Sequence, residues 1–265
     1  MRNADLCRET RPLVEVLEGR TLMSVAPLLA GARTLPTYTV LTVDAGMLGQ
    51  PITFDATVFA LEQPVAAVNL YYRGKLFQTL DMTPIASLNS RFRASEATYT
   101  LPAGSAGSEI FGVGPHAVRA QSSRVVTSFF TTTFAASTAV AVFRVKRPEF
   151  VTQPSGIGIA TVSAGSGPAL QPGQTATVQY DAYLASTYRL FDSTESQTPD
   201  TFSVTVDANP EQVIPGLDAG VIGMQAGETR AIYVPYPLGY GAKGVRGKVP
   251  PRANLVYLVT LVSIA

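Results

Sequence analysis

The stretch Gln212-Val-Ile-Pro-Gly-Leu-Asp-Ala-Gly-Val-Ile-Gly-Met-Gln-Ala-Gly-Glu-Thr-Arg230 decides how the second half of the chain is read. Pro215 fixes its own φ and biases Ile214 toward extended backbone, so Val213 and Ile214 lead into a break at Pro215-Gly216. Beyond the break, Leu217, Val221, Ile222 and Met224 fall near helical spacing, and Gly227 closes the run as a helix terminator would. The pattern predicts one short helix near Leu217 to Met224, followed by a strand over Arg230 to Pro235. Periodicity alone also fits a generic segment of mixed helix and strand.

Outward from this stretch, 265 residues suffice for one or two domains with buried cores. The chain is 46% hydrophobic and 15% charged, a balance that suits ordered globular structure. A net charge of +1 gives no bulk attraction to nucleic acid or to an acidic membrane surface. Cys7 is the single cysteine, so no intramolecular disulfide framework is possible. With only His116 beside it, no His/Cys metal site and no cofactor is expected. No apolar run reaches the ~18 residues of a membrane-spanning helix.

Residues 1–35 form a tail of apolar positions spaced every three or four residues, interrupted by Glu15 and Glu18. Those carboxylates sit badly in the apolar core of a signal peptide. The run Leu17-Glu-Gly-Arg-Thr-Leu-Met-Ser24 resembles an N-terminal segment of exported proteins in some bacteria, which implies export or a cell-surface location. The other reading is a weakly helical tail with no address, and a cytoplasmic protein.

From residue 36 to 146 the pattern turns to alternation. Tyr38 to Val43, Ile52 to Phe59, Val68 to Tyr72, Ala97 to Leu101, His116 to Ala120 and Val140 to Val145 place β-branched and aromatic residues at period two. Gly49-Gln-Pro51 and Arg73-Gly-Lys75 supply turns. Strands at this spacing, with no helical stretch, predict an antiparallel sandwich. Gly49-Gln-Pro-Ile-Thr-Phe-Asp-Ala-Thr-Val58, together with Gly114-Pro-His-Ala-Val-Arg-Ala-Gln121, resembles bacterial Ig-like repeat modules. Ser122 to Ser137 is read either as an edge hairpin or as a long loop, and His116 as a strand residue. Residues 147–155, with Pro148 and Pro154, form a linker into a domain over 156–265.

Six motifs of that last domain fall in one order. They are Val178-Gln-Tyr180, Phe191-Asp-Ser193, Val213-Ile-Pro-Gly-Leu217, Gly239-Tyr-Gly241, Val249-Pro-Pro251 and Leu255-Val-Tyr257. In this order and at near-constant spacing they resemble the signature of FKBP-type peptidyl-prolyl cis/trans isomerases. The resemblance implies an antiparallel sheet wrapping one short helix, and the whole chain is expected to be mostly β. It implies a prolyl isomerase that binds proline-containing client segments, and FK506-like macrolides in the same pocket.

By that resemblance, the residues acting on the prolyl bond are Tyr180, Phe191, Asp192, Ile214 and Tyr240. Phe202, Val213, Leu217, Val249 and Tyr257 would complete an apolar cup for the proline ring, with Leu217 as its floor. The Ile214 amide and the Tyr240 hydroxyl would donate to substrate carbonyls, and Asp192 would be a polar wall. The sequence departs from the family at Leu217, often Trp, at Tyr257, usually Phe, and at Lys248, where an apolar residue is common. The Ala182 to Leu190 loop lacks the usual glycine, and the Thr194 to Thr201 segment differs in length. These aromatics could instead simply fill a sheet core. The alternative function is a non-catalytic peptide-binding module with an Ig-like spacer, or a purely structural pair of domains.

Overall fold

The computed structural model describes residues 21–23, 34–35, 37–61, 65–85, 92–102, 110–122, 126–127, 132–134, 136–194, 201–207 and 213–265. Most of the N-terminal tail, and the export-like segment apart from Thr21–Met23, lie outside the described residues. So do 195–200, within the segment whose length departs from the family pattern. The chain divides into two compact units: one of residues 1–44, 54–99 and 117–143, the other of 45–53, 100–116 and 144–265.

The first unit is built of strands whose side chains alternate between core and solvent. Thr37–Ala45 pairs in a four-stranded sheet with Ile52–Leu61, Phe92–Leu101 and Thr83–Ile85, in that order. A five-stranded sheet runs Thr21–Met23, Thr138–Val145, Gly114–Ser122, Ala67–Tyr72, Lys75–Asp81. Phe54 is fully buried and meets the rings of Phe77, Tyr99 and Phe143 at centroid distances of 5.7, 6.3 and 6.1 Å. Buried hydroxyls satisfy one another: Ser137 Oγ lies 2.9 Å from Thr37 Oγ1 and 2.6 Å from Thr39 Oγ1, and the Ser137 amide donates to Ser122 Oγ. Within Ser122 to Ser137, Val126–Thr127 pairs antiparallel with Thr132–Phe134, the hairpin alternative. Thr132–Phe134 in turn pairs in parallel with Thr34–Leu35. His116, which belongs to the second unit, is a buried strand residue whose Nε2 meets the Gly112 carbonyl oxygen.

The second unit carries an antiparallel sheet in the order Val151–Thr152, Gly158–Ser163, Thr229–Val234, Leu255–Ile264, Thr175–Leu184. The Thr175–Leu184 strand then changes partner along its length. Its first half pairs with Phe202–Thr205 and its second half with Arg189–Ser193. At the change, Tyr180 exchanges hydrogen bonds with Thr194: its amide donates to Thr194 Oγ1 at 3.0 Å, and the Thr194 amide donates to its carbonyl at 3.0 Å. Val178, Ala182, Leu184, Ile232, Val234, Tyr257 and Val259 belong to one core with the helix residues Leu217 and Val221. Their strand neighbours Tyr183, Ala231, Val256 and Leu258 are buried too. This accounts for unbroken buried runs such as Leu255 to Val259, where period-two reading anticipates alternation.

The helix spans Pro215–Val221, starting two residues and ending three residues earlier than the spacing suggests. Pro215 is its first residue, where the missing N–H costs nothing, and Ile214 before it is extended at φ −64°, ψ 142°. It ends at Ile222 and Gly223, the latter at φ +77°, so the terminator is Gly223; Gly227, at φ +79°, sits in the next turn. Arg230 closes the end by donating from one guanidinium nitrogen to the carbonyls of Gly220 and Ile222, each at 3.0 Å. Its Nε pairs with Glu228 at 2.8 Å, and Glu228 also accepts from the Gln225 amide at 3.0 Å.

Seven helical residues are too few to hold a helix by themselves, so packing must supply the stability. Gly216 and Gly220 supply the closeness. A Cβ at 220 would lie 2.5 Å from Ile232 Cγ2, and one at 216 would run into Val234 Cγ1. Gly220→Ala is therefore expected to destabilise the chain by about 1–3 kcal/mol through overpacking, despite alanine's better helix propensity. Denaturant unfolding of the two proteins measures this; equal midpoints would mean that the helix is not seated through Gly220.

Candidate functional site

The site is built where the helix entrance packs against the sheet. Tyr180 comes from the point at which the Thr175–Leu184 strand changes partner, and Phe191 and Asp192 from the adjoining Arg189–Ser193 strand. Tyr257 lies on the Leu255–Ile264 strand, opposite Ala182 on one side and Ile232 on the other. Tyr240 follows the Tyr236–Leu238 turn, whose loop is pinned by the Asn254 side chain accepting from the Tyr236 amide at 2.9 Å.

Nine of the ten residues singled out by sequence fall in a single apolar cluster. Leu217, Val249 and Tyr257 are buried in it; Tyr180, Phe191, Phe202, Val213, Ile214 and Tyr240 pack on it and remain partly exposed. The rings stand edge to face rather than collapsing flat. Tyr180 meets Phe202 at 6.4 Å and 87°, Phe191 meets Tyr240 at 6.4 Å and 77°, and Phe191 meets Tyr257 at 6.4 Å and 88°. The tenth residue, Asp192, joins through a hydrogen bond: the Tyr180 hydroxyl donates to its Oδ2 at 3.0 Å.

Two departures from the expected pattern find physical partners here. The buried Tyr257 hydroxyl lies 3.5 Å from that of Tyr240. Burial first, then the neighbouring Tyr240, Tyr180 and Asp192, push its pKa far above the ordinary tyrosine range, so it stays neutral. Lys248 places its ammonium 3.3 Å from Asp192 Oδ1, giving the rim a solvent-screened ion pair. Tyr188, in the loop without a glycine, takes a left-handed φ of 54° and receives the Arg147 guanidinium over its ring at 5.2 Å.

Sequence reasoning passed over Arg189, which donates to the Lys248 carbonyl at 3.1 Å, and the buried Glu228–Arg230 pair beneath the helix. A signal for the latter existed: two opposite charges at i, i+2 leading directly into the apolar run Ala231-Ile-Tyr-Val234. Among the described residues there is no group of three or more His, Cys, Asp or Glu that could hold a metal ion, and no helix long and apolar enough to cross a membrane.

A family model described as FKBP-type peptidyl-prolyl cis-trans isomerase matches residues 167–262, which contain this whole site. An FK506-binding protein of Neisseria meningitidis serogroup B is 33% identical over 109 residues, 41% of this chain and 96% of that protein. The outer membrane protein MIP of Legionella longbeachae is 35% identical over 119 residues, 44% of this chain and 48% of MIP. Peptidyl-prolyl cis-trans isomerase FKBP53 of Arabidopsis thaliana is 33% identical over 121 residues, 45% of this chain, and the match spans only 24% of that longer protein. With the family match over the site and nearly the full length of the Neisseria protein covered, the chain belongs to the FKBP-type peptidyl-prolyl cis-trans isomerase family.

Proposed function

We propose that residues 156–265 catalyse cis/trans isomerisation of prolyl bonds in exported or cell-surface client proteins, with 36–146 as an Ig-like spacer that positions them. The observation that carries the reading is the cluster itself: edge-to-face rings packed with Leu217 in one apolar core, with the charged groups Asp192 and Lys248 partly exposed beside it. Export is supported by the N-terminal Leu17 to Ser24 segment and by the likeness to the Legionella outer membrane protein. The two antiparallel sheets built mainly from residues 37–145 support the Ig-like reading.

Rotation about the X–Pro bond meets a barrier of ~18–20 kcal/mol because the amide is conjugated. It needs no nucleophile; it needs surroundings that favour the twisted amide over the planar one. A dry ring of Tyr180, Phe191, Phe202 and Tyr257 would hold the pyrrolidine and deny water to the charge-separated planar form. The Ile214 amide at the helix entrance and the Tyr240 hydroxyl would hold the flanking carbonyls. Asp192, oriented by Tyr180 and Lys248, would face the twisted carbonyl carbon as a fixed dipole without exchanging protons. The same apolar cup would take FK506-type macrolides.

The second reading, a binding module without turnover, draws on one observation: the Lys248–Asp192 pair, which ties up the cup's acid. Substitution separates the two. Tyr240→Phe in the full chain is expected to lower kcat/KM on a short Xaa-Pro peptide about tenfold, the worth of one transition-state hydrogen bond, with little change in peptide affinity. Asp192→Ala is expected to act in the same direction. Parallel losses of binding and turnover, or no turnover in the parent protein, would favour the binding module.

Tyr257 supplies a pH test. The unfolded chain loses the tyrosine proton near pH 10, whereas the folded chain keeps it beyond that range. The folded state then binds more protons, so this contribution to stability is complete below about pH 10 and declines as pH rises above it. Tyr257→Phe is expected to flatten that alkaline decline in the denaturant midpoint. Parallel pH profiles for the two proteins would contradict a buried, neutral Tyr257.

A further inference from the structure

Beside the cup lies a second concavity that proline chemistry does not use. Arg189, Lys243, Arg246 and Lys248 line a pocket of about 410 Å³ together with Val249 and Pro250. All four basic side chains are exposed. The pocket and the cup share a wall. Val249 belongs to the apolar cluster under the rings, and Lys248 reaches the carboxylate that takes the Tyr180 hydroxyl. Arg189 begins the strand that carries Phe191 and Asp192. Its hydrogen bond to the Lys248 carbonyl positions the guanidinium without neutralising it.

Charge is unbalanced at this pocket. The chain as a whole carries only +1, yet this pocket gathers four cations, and among the described residues the single carboxylate ion-paired to them is Asp192. A concave, water-accessible wall of guanidinium and ammonium groups favours a carboxylate over an amide, and Arg189 and Arg246 can each offer the two-pronged geometry a carboxylate accepts.

We infer that this pocket receives an acidic side chain of the client, so that the preferred substrates are proline-containing segments with Asp or Glu within a few residues of the proline. The inference rests on the reading of the neighbouring cup as the proline site. Nucleic acid is the weaker occupant: the aromatic rings face into the cup rather than alternating with the cations along a track, and the net charge is low.

The test uses the full chain and three peptides identical except that the residues two and three positions from the proline on each side are Glu, Gln or Lys. At low salt kcat/KM for the Glu peptide is expected to exceed that of the Gln peptide by about fivefold, the Lys peptide being slowest, as several exposed charge pairs would give. The ratio should approach one near 1 M salt, where screening acts within ~3 Å. Lys243→Gln/Arg246→Gln should lower the Glu-to-Gln ratio at low salt. Measurable turnover with a Glu-to-Gln ratio of one at low salt would overturn the acidic preference and leave the isomerase reading standing. Absence of turnover on every peptide would overturn the isomerase reading instead. Fluorescence anisotropy of the labelled peptides then judges the pocket separately. Tighter, salt-sensitive binding of the Glu peptide that the double variant loses supports it, and equal binding of the Glu and Gln peptides overturns it. Displacement of the Glu peptide by a short single-stranded DNA at lower concentration than by unlabelled Glu peptide also overturns it, in favour of nucleic acid.

Discussion

The site depends on how closely one short helix is allowed to approach one sheet. Gly216 and Gly220, four residues apart and so on one helix face, lie against Val234 and Ile232. Because nothing stands between the helix backbone and those side chains, Leu217 joins the apolar cluster that also holds the rings of Tyr180, Phe191 and Tyr257. A longer helix could have been stabilised by its own hydrogen bonds. Seven residues cannot, and the contact with the sheet does that instead, assisted at the far end by Arg230 on the carbonyls of Gly220 and Ile222.

Polarity is distributed around this contact in a consistent way. The buried charged pair, Glu228–Arg230, serves the helix C-terminus, while Ile214 at the helix N-terminus packs on the apolar cluster. The buried polar tip in the cluster is neutral, since Tyr257 keeps its proton and its hydroxyl lies 3.5 Å from that of Tyr240. The charged groups, Asp192 and Lys248, sit at the wall and rim, where water lowers the cost of holding them. Leu217 fits the same division, adding a buried apolar side chain with no donor to satisfy.

How much of this was legible in the sequence depended on whether the determining residues are near each other along the chain. That Tyr180, Phe191, Ile214, Tyr240 and Tyr257 gather in one cluster was readable because their motifs occur in order. The helix limits were not. Pro215 reads as a break, but it is also the one residue suited to a first helical turn, and Gly223 and Gly227 both offer the positive φ of a terminator. The partner change at Tyr180, the ion pair between Asp192 and Lys248 and the bond from Arg189 to Lys248 all join residues brought together only by the sheet. Burial of Tyr183, Val256 and Leu258 was invisible for a related reason: alternation is lost when both faces of a strand are covered.

The proposed function requires that the cluster of Tyr180, Phe191, Leu217 and Tyr257 accelerate rotation of a bound prolyl bond. It is tested most directly by exchange spectroscopy on a short Leu-Pro peptide with catalytic amounts of the full chain. The expected result is cis/trans exchange far faster than the tens to hundreds of seconds of the free peptide, suppressed when a macrolide of the FK506 type is added. Exchange at the buffer rate, with the peptide nonetheless bound, would contradict it.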